Sequence, residues 1–317
     1  MTQFRPLDLE ADAAELARLQ SYTLPEPVTA ESVRDGWAHH KGEIRTTTLA
    51  LDEQGLAIGF WDVDRETWMR PGHWWLKVLV APDQRGNGLG ARMYSAALDQ
   101  ARQYGATHLE SRVSENDAGS TRFAQKRGFQ VERHTFVSTL DLASFDEKCF
   151  ETLRERVSGF SFFSLAEAGL TGENKRRLYT LNRATALDNP GNHGTFPEYD
   201  TFEMNIFNAA WFRADTQILA ADGDQWVGLA ALSIDDEQRY AYNAFTGVLR
   251  DYRGRGLAQA LKLHTILLAK RAGMRYIRTD NDSQNAPVLA VNRKLGYQPE
   301  SGSYQLLCTL ERAYANS

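Results

Sequence analysis

"DQRGNGLGAR" occupies residues 83–92 and "DYRGRGLAQA" residues 251–260. Both pass from Asp through Arg-Gly-x-Gly-Leu to a small residue. A shift of 168 positions lays Arg85 on Arg253, Gly86 on Gly254, Gly88 on Gly256 and Leu89 on Leu257. The same shift lays Gly105 on Gly273, Lys126 on Lys294, Gly128 on Gly296 and Phe129 on Tyr297. One constant offset over more than forty residues marks a duplicated unit, and a repeat of this kind sets the architecture.

Outward from each glycine turn the pattern alternates between strand and helix. "HWWLKVLVA" is an apolar, aromatic strand before the first turn, and "YAYNAFTGVL" stands before the second. After the first turn, Leu89, Met93, Ala97 and Ala101 recur at four-residue steps, which predicts a helix stopped by Gly105. "GLAQALKLHTILLAKRAG" is its counterpart, ending at Gly273. A short strand, a second helix and a final strand follow in each unit, the final strands being "FQVERHTFVSTLDL" and "YQPESGSYQLLCTL". "GFSFFSLAE" reads as a strand opening the second unit. The expected division is 1–142, a linking helix over 143–158, and 159–317. The expected class is α/β (α+β in some schemes), each unit a mixed, mainly antiparallel sheet flanked by helices.

The bulk numbers narrow the function. A chain of 317 residues with 42% hydrophobic and 24% charged residues can bury two cores. A net charge of −5 argues against the wide basic surface that nucleic acid requires. Cys149 and Cys308 form no disulfide framework or metal motif. No apolar leader opens the sequence and no apolar run approaches a membrane span, so a cytoplasmic protein without membrane or nucleic-acid partners is expected.

A strand, a turn of the form Arg-x-x-Gly-x-Gly/Ala, and a helix together aim backbone N–H groups at an anion. The helix start has unpaired donors and the positive end of the dipole, and glycine lets the backbone come close. Arg85 and Arg253 add a bidentate phosphate partner. A P-loop would need Gly-Lys-Ser/Thr, which neither copy has. Gly86-Asn87-Gly88-Leu89-Gly90-Ala91 matches the dinucleotide pattern literally, with Glu110 on the following strand, but Gln259 breaks that pattern in the second copy.

"VAPDQRGNGLGARM" and "VLRDYRGRGLAQAL" resemble the acetyl-CoA motif of the GNAT acyltransferase superfamily, and the resemblance spans nearly the whole chain twice. The tandem layout resembles the two-domain acetyltransferases of the mycothiol synthase group. The resemblance implies an acetyl-CoA-dependent N-acetyltransferase acting by direct transfer in a ternary complex. Its CoA site would comprise Arg85, Gly86, Asn87, Gly88, Leu89 and Gly90 in one unit. In the other it would comprise Arg253, Gly254, Arg255, Gly256, Leu257 and Ala258. It implies a thioester carbonyl held on backbone N–H groups at Leu79–Val80 and Gly247–Val248. It also implies a flanking helix opened by Asn116 or Asn285. Asn285 to Gly296 is the usual eleven-residue step, whereas Asn116 to Gly128 is twelve.

The pattern departs at the proton-handling positions. The tyrosine that the family places four residues before the glycine of the flanking helix is Ala124 in one unit and Asn292 in the other. No acid stands on the strand before either turn. Glu203, Asp280 and Asn292 are the catalytic candidates; Asp62, Asp64, Glu110, His73 and His193 are further titratable groups. The tryptophans Trp61, Trp68, Trp74 and Trp75 fit core packing better than an acceptor pocket. The acceptor is expected to be a small amine, and the protein a monomer (an internal pseudo-dimer) or a homodimer. Two other readings share the same motif: a non-catalytic acyl-CoA-sensing module, and an acetyltransferase of protein N-termini or lysines.

Overall fold

A computed structural model describes residues 2–23, 27–38, 44–66, 69–189, 192 and 194–310. Its elements, in chain order, begin with β1 (Gln3–Pro6), α1 (Leu9–Gln20), α2 (Ala30–Ala38), β2 (Ile44–Leu51), β3 (Ala57–Arg65) and β4 (His73–Val80). Next come α3 (Leu89–Gln103), β5 (His108–Ser114), α4 (Ala118–Gln125), β6 (Gln130–Asp141), α5 (Glu151–Arg156) and β7 (Ser161–Ser164). Then follow α6 (Leu165–Ala168), α7 (Gly172–Ala186), α8 (Tyr199–Ile206), β8 (Gln217–Asp222), β9 (Gln225–Asp235) and β10 (Tyr240–Val248). The last are α9 (Leu257–Arg271), β11 (Tyr276–Asp282), α10 (Ala286–Lys294), β12 (Gln298–Pro299) and β13 (Ser303–Thr309).

The compact units do not follow chain order. One contains the residues up to Glu132 together with those from Tyr304 onward; the other is Arg133–Ser303. In the first, the strand order is β1-β2-β3-β4-β5-β13. In the second it is β6-β11-β10-β9-β8-β7, with β12 on β6. The reason is pairing. The far half of β6 runs antiparallel to β11, Tyr276 opposite Asp141 through Asp282 opposite Thr135. Leu306 and Cys308 of β13 are buried with Leu109 and Phe129 in the first unit's core.

Apolar periodicity accounts for the layers. Leu89, Met93, Ala97 and Ala101 are the buried residues of α3, as their spacing predicts, and they pack with Trp61 and Trp74. Trp61 and Trp74 are therefore core residues; Trp68 and His193 lie outside the described residues. The opposite face of that sheet is covered by α1 and α2 through Leu16, Leu19 and Val33. In the second unit, α9 lies on Val227, Ala230 and Ile277, while α7 covers Leu219 and Leu229 from the other side.

Three expected elements differ. The strand expected over 159–167 stops at Ser164, whose hydroxyl and Glu167 form a capping box that starts α6. The linking helix is shorter than expected: α5 covers Glu151–Arg156, after a tight turn over Glu147–Phe150. The last strand is broken into β12 and β13 around Gly302, where a Cβ would meet the Thr135 carbonyl at 2.4 Å.

Candidate active site

Each glycine turn follows a strand that has parted from its neighbour. β4 and β5 pair in parallel only at His73–Trp75 with His108–Glu110, although β4 continues to Val80. β10 and β11 pair in parallel only at Tyr240–Tyr242 with Tyr276–Arg278, although β10 continues to Val248. Beyond those three residues the backbones diverge and leave a cleft that opens toward the turn.

At the end of the cleft the helix starts are prepared for an anion. Gly88 and Gly256 stand at the N-caps of α3 and α9 with φ of 78° and 94°, and neither start carries a side-chain cap. By contrast Asp8, Asp117, Thr171 and Asn285 cap α1, α4, α7 and α10. The uncapped N–H groups of α3 and α9 are free for a ligand's phosphate oxygens. A Cβ at Gly86, Gly88 or Gly254 would meet nothing within 4 Å, so the cradle has room. Arg85 and Arg253 fold back alike, each donating from Nε to a strand carbonyl, Val80 and Val248, at 3.1 Å.

The two turns differ in one respect. Asp188, just after α7, accepts from Arg250 at 2.5 Å and from Arg253 at 2.6 Å. Those two guanidinium groups, Arg250 first, hold the Asp188 carboxyl below its usual range.

The flanking helices also align more closely than the asparagines suggest. Asn285 caps α10 by accepting from the Val288 N–H, and Asp117 caps α4 by accepting from the Ser120 N–H. Counted from the cap, the step to Gly128 or Gly296 is eleven in both units. Asn116 stands one residue outside the cap.

The second cleft has a β-bulge that the first lacks. Asn243 faces Leu232 and Phe245 faces Ala231, so Ala244 is extra. The Asn243 amide donates to the carbonyls of Ala231 (3.2 Å) and Phe245 (3.4 Å), and the Thr246 hydroxyl donates to Asn243 Oδ1 (3.0 Å). β3 and β4 run without a bulge from Asp64–Trp75 to Gly59–Val80. Gly247 is required here, since its Cβ would lie 2.4 Å from Thr185 Oγ1 on α7. Leu79–Val80 and Gly247–Val248 stand at the ends of β4 and β10, past the parallel pairing and beside the turns.

Under the bulge, on the α9 face, lies a polar cluster. The Thr279 hydroxyl donates to the Asn243 carbonyl at 3.0 Å, bridging β10 and β11 where they separate. Lys262 Nζ is 3.5 Å from Thr279 Oγ1. Asn292 on α10 donates to Asn281 Oδ1 at 2.7 Å, and its own Oδ1 is buried without a partner.

On the opposite face of β10 and β11, Tyr240, Tyr242, Tyr276, Arg278 and Asp280 alternate outward. The Tyr242 hydroxyl donates to Asp280 Oδ2 at 2.5 Å, and the Tyr240 and Tyr276 rings stack at 5.9 Å. Burial, reinforced by Asp280, raises the Tyr242 pKa, so the phenol keeps its proton. Glu203 is elsewhere engaged, with Lys175 Nζ at 3.0 Å and the Tyr199 hydroxyl at 3.4 Å. Of the three catalytic candidates, Asp280 and Asn292 lie on opposite faces of the same cleft, and Glu203 sits on α8 with partners of its own.

The corresponding face of the first unit is more heavily charged. His73 Nδ1 and Glu110 Oε1 are 2.6 Å apart at the splitting point, with Arg70 3.8 Å from Glu110 and the His108 ring stacked on His73. Burial lowers the His73 pKa against the pull of Glu110. Asp62 accepts from the Thr47 hydroxyl at 2.6 Å and faces Lys77 across the strands. Burial raises the Asp62 pKa and lowers that of Lys77. Sequence reading named His73 and Glu110 separately; folding joins them. Among the described residues no cluster of metal-ligating groups occurs, and no helix is long and apolar enough to cross a membrane.

Comparisons with known proteins agree with this architecture. The family model described as "Acetyltransferase (GNAT) family" matches residues 13–129 and again 178–297. A mycothiol acetyltransferase from Actinosynnema mirum is 26% identical over 222 residues, covering 70% of each chain. A GCN5-related N-acetyltransferase from Sphaerobacter thermophilus superposes with a TM-score of 0.69 at 19% identity, over 97% of this chain and 95% of that one. A tandem GNAT protein from the clavulanic acid biosynthesis pathway superposes with a TM-score of 0.64 at 20% identity, over 98% of both.

Proposed function

The chain belongs to the GNAT acetyltransferase family and uses acetyl-CoA as cosubstrate, and from that premise we propose that it acetylates the amine of a small molecule by direct transfer within a ternary complex. The observation that carries this reading is the parted strand pair beside an uncapped, glycine-opened helix start. Acetyl-CoA supplies an activated acyl group that needs no covalent enzyme intermediate.

In the second unit the N–H groups at the start of α9 and Arg253 would hold phosphate, and the cleft along Gly247–Val248 would take the pantetheine arm. The bulge at Ala244 leaves backbone N–H groups out of the ladder, where they can face a developing oxyanion. Asp280 is the base candidate on the acceptor side, and Tyr242 orients its carboxylate. Tyr240, Tyr242 and Tyr276 line that face with rings, and with a carboxylate among them they suit a small cationic amine. The name of the Actinosynnema relative places a small molecule in that protein's reaction, which supports the same class here. The first unit keeps an equivalent turn, with the His73–Glu110 pair on its acceptor face.

The test is a panel of small amines and, separately, lysine-containing peptides, incubated with acetyl-CoA and followed by thiol release. Thiol release with small amines and not with peptides is the expected result. Release with peptides alone would replace the small-molecule reading, and no release with either would favour a sensing module.

A further inference from the structure

Lys262 is 2% exposed, in the interior of α9, among Leu257, Leu261 and Ile266. A lysine is almost never buried without a paired charge, yet among the described residues no carboxylate acts on this one. Its neighbours are the Thr279 hydroxyl on β11 and, at 5.0 Å, the ring of Tyr297 after α10. Tyr297 is itself buried, its hydroxyl without a hydrogen-bond partner among the described residues. Burial alone lowers the lysine to about 7.

Its place in the cleft gives the group a use. From Val248 back to Asn243 the strand crosses the bulge and spans four steps of its partner, Gly228 to Leu232, about 13 Å at 3.3 Å per residue. An extended pantetheine arm anchored at the turn reaches that far. The far end lies at the Thr279–Asn243 bridge, with Lys262 directly beneath Thr279. A thiolate leaving at that point needs a proton, and an ordinary thiol ionises near 8.5.

We propose that Lys262 is the acid of the second unit, returning a proton from Nζ to the sulfur of departing CoA at the point where β10 and β11 part. This rests on the acetyltransferase reading given above. The N–H bond of the ammonium breaks and an S–H bond forms. The electron pair stays on nitrogen as a neutral amine that the apolar surroundings favour. Water then reprotonates the amine, and the proton shed by the acceptor amine balances the turnover.

Two readouts test it. In Lys262→Met, kcat falls by about 100-fold, within the range of a general acid, with KM for acetyl-CoA little changed. Calorimetry shows CoA bound equally by both proteins, and the kcat–pH profile of the wild type falls as the pH rises through about 7, a limb that the variant lacks. Removing a buried unpaired charge does not endanger folding; if Lys262→Met aggregates, Lys262→Gln serves instead. The same high-pH limb in both proteins, or kcat within two-fold, overturns the proposal. Failure of the wild type to bind CoA overturns the parent reading, and the binding step registers that outcome separately.

Discussion

Asp188 and Arg253 are joined by an ion pair of 2.6 Å beside the second glycine turn, and Arg250 binds the other oxygen of the same carboxylate. A protein carboxylate therefore already engages the guanidinium that would meet phosphate. The first turn shows no such pair at Arg85 among the described residues. Asp188→Asn is expected to tighten CoA binding at the second turn several-fold, measured by calorimetry. Unchanged affinity would mean that CoA and Asp188 share the arginines without competing.

Two equivalent turns predict two cofactor sites. Native mass spectrometry at saturating acetyl-CoA is expected to count two molecules per chain. Arg85→Glu and Arg253→Glu should each remove one, by placing a negative charge against the pyrophosphate. If both variants still bound two, the turns would not be the phosphate sites.

Asp280 is held by the Tyr242 hydroxyl on the face away from α9. Asp280→Asn should lower kcat by about 100-fold, the scale of a lost general base. Tyr242→Phe should cost less, because it misorients the base without removing it. Steady-state kinetics with the best amine of the panel checks the order. Equal losses would make the pair, rather than Asp280, the functional unit.

The contact between Gly247 and α7 predicts a structural failure. Gly247→Ala pushes a methyl group against Thr185 and should lower unfolding stability by about 1–3 kcal/mol. Adding Thr185→Ala should restore part of it in chemical denaturation. A single variant as stable as the wild type would show that α7 can move aside.

Lys262 also predicts how stability depends on pH. In the folded chain it releases its proton near 7, whereas unfolded it keeps one to about 10.4. Between those values the unfolded state holds more protons, so raising the pH stabilises the wild type relative to Lys262→Met. Thermal melts should show the variant most favoured at about pH 6, with the gap shrinking by about pH 9. A gap independent of pH would mean that the lysine titrates normally.

The repeat offset, the glycine turns and the four-step face of α3 could all be read from sequence because they are local patterns. The bulge left a trace: the paired residues His73 and Tyr240 are 167 apart, whereas the turns are 168 apart, and the extra residue is Ala244. Asn116 against Asp117 could not be decided until the cap was seen, since either side chain can cap a helix. Lys262 was visible as a charge inside the apolar run "LAQALKLHTILLA", but an amphipathic helix can point such a residue at water. The His73–Glu110 pair depends on parallel strands separated in sequence by a whole helix.

The placement of β13 in the first unit has a consequence for biosynthesis. Leu306 and Cys308 complete a core whose other members all precede residue 130. On the ribosome, the first half of the chain emerges early yet must wait for its closing strand. The second unit, Arg133–Ser303, has its whole sheet in hand sooner. The earlier half therefore matures last, and a nascent chain halted near residue 300 would expose an unfinished sheet edge to aggregation or to chaperones.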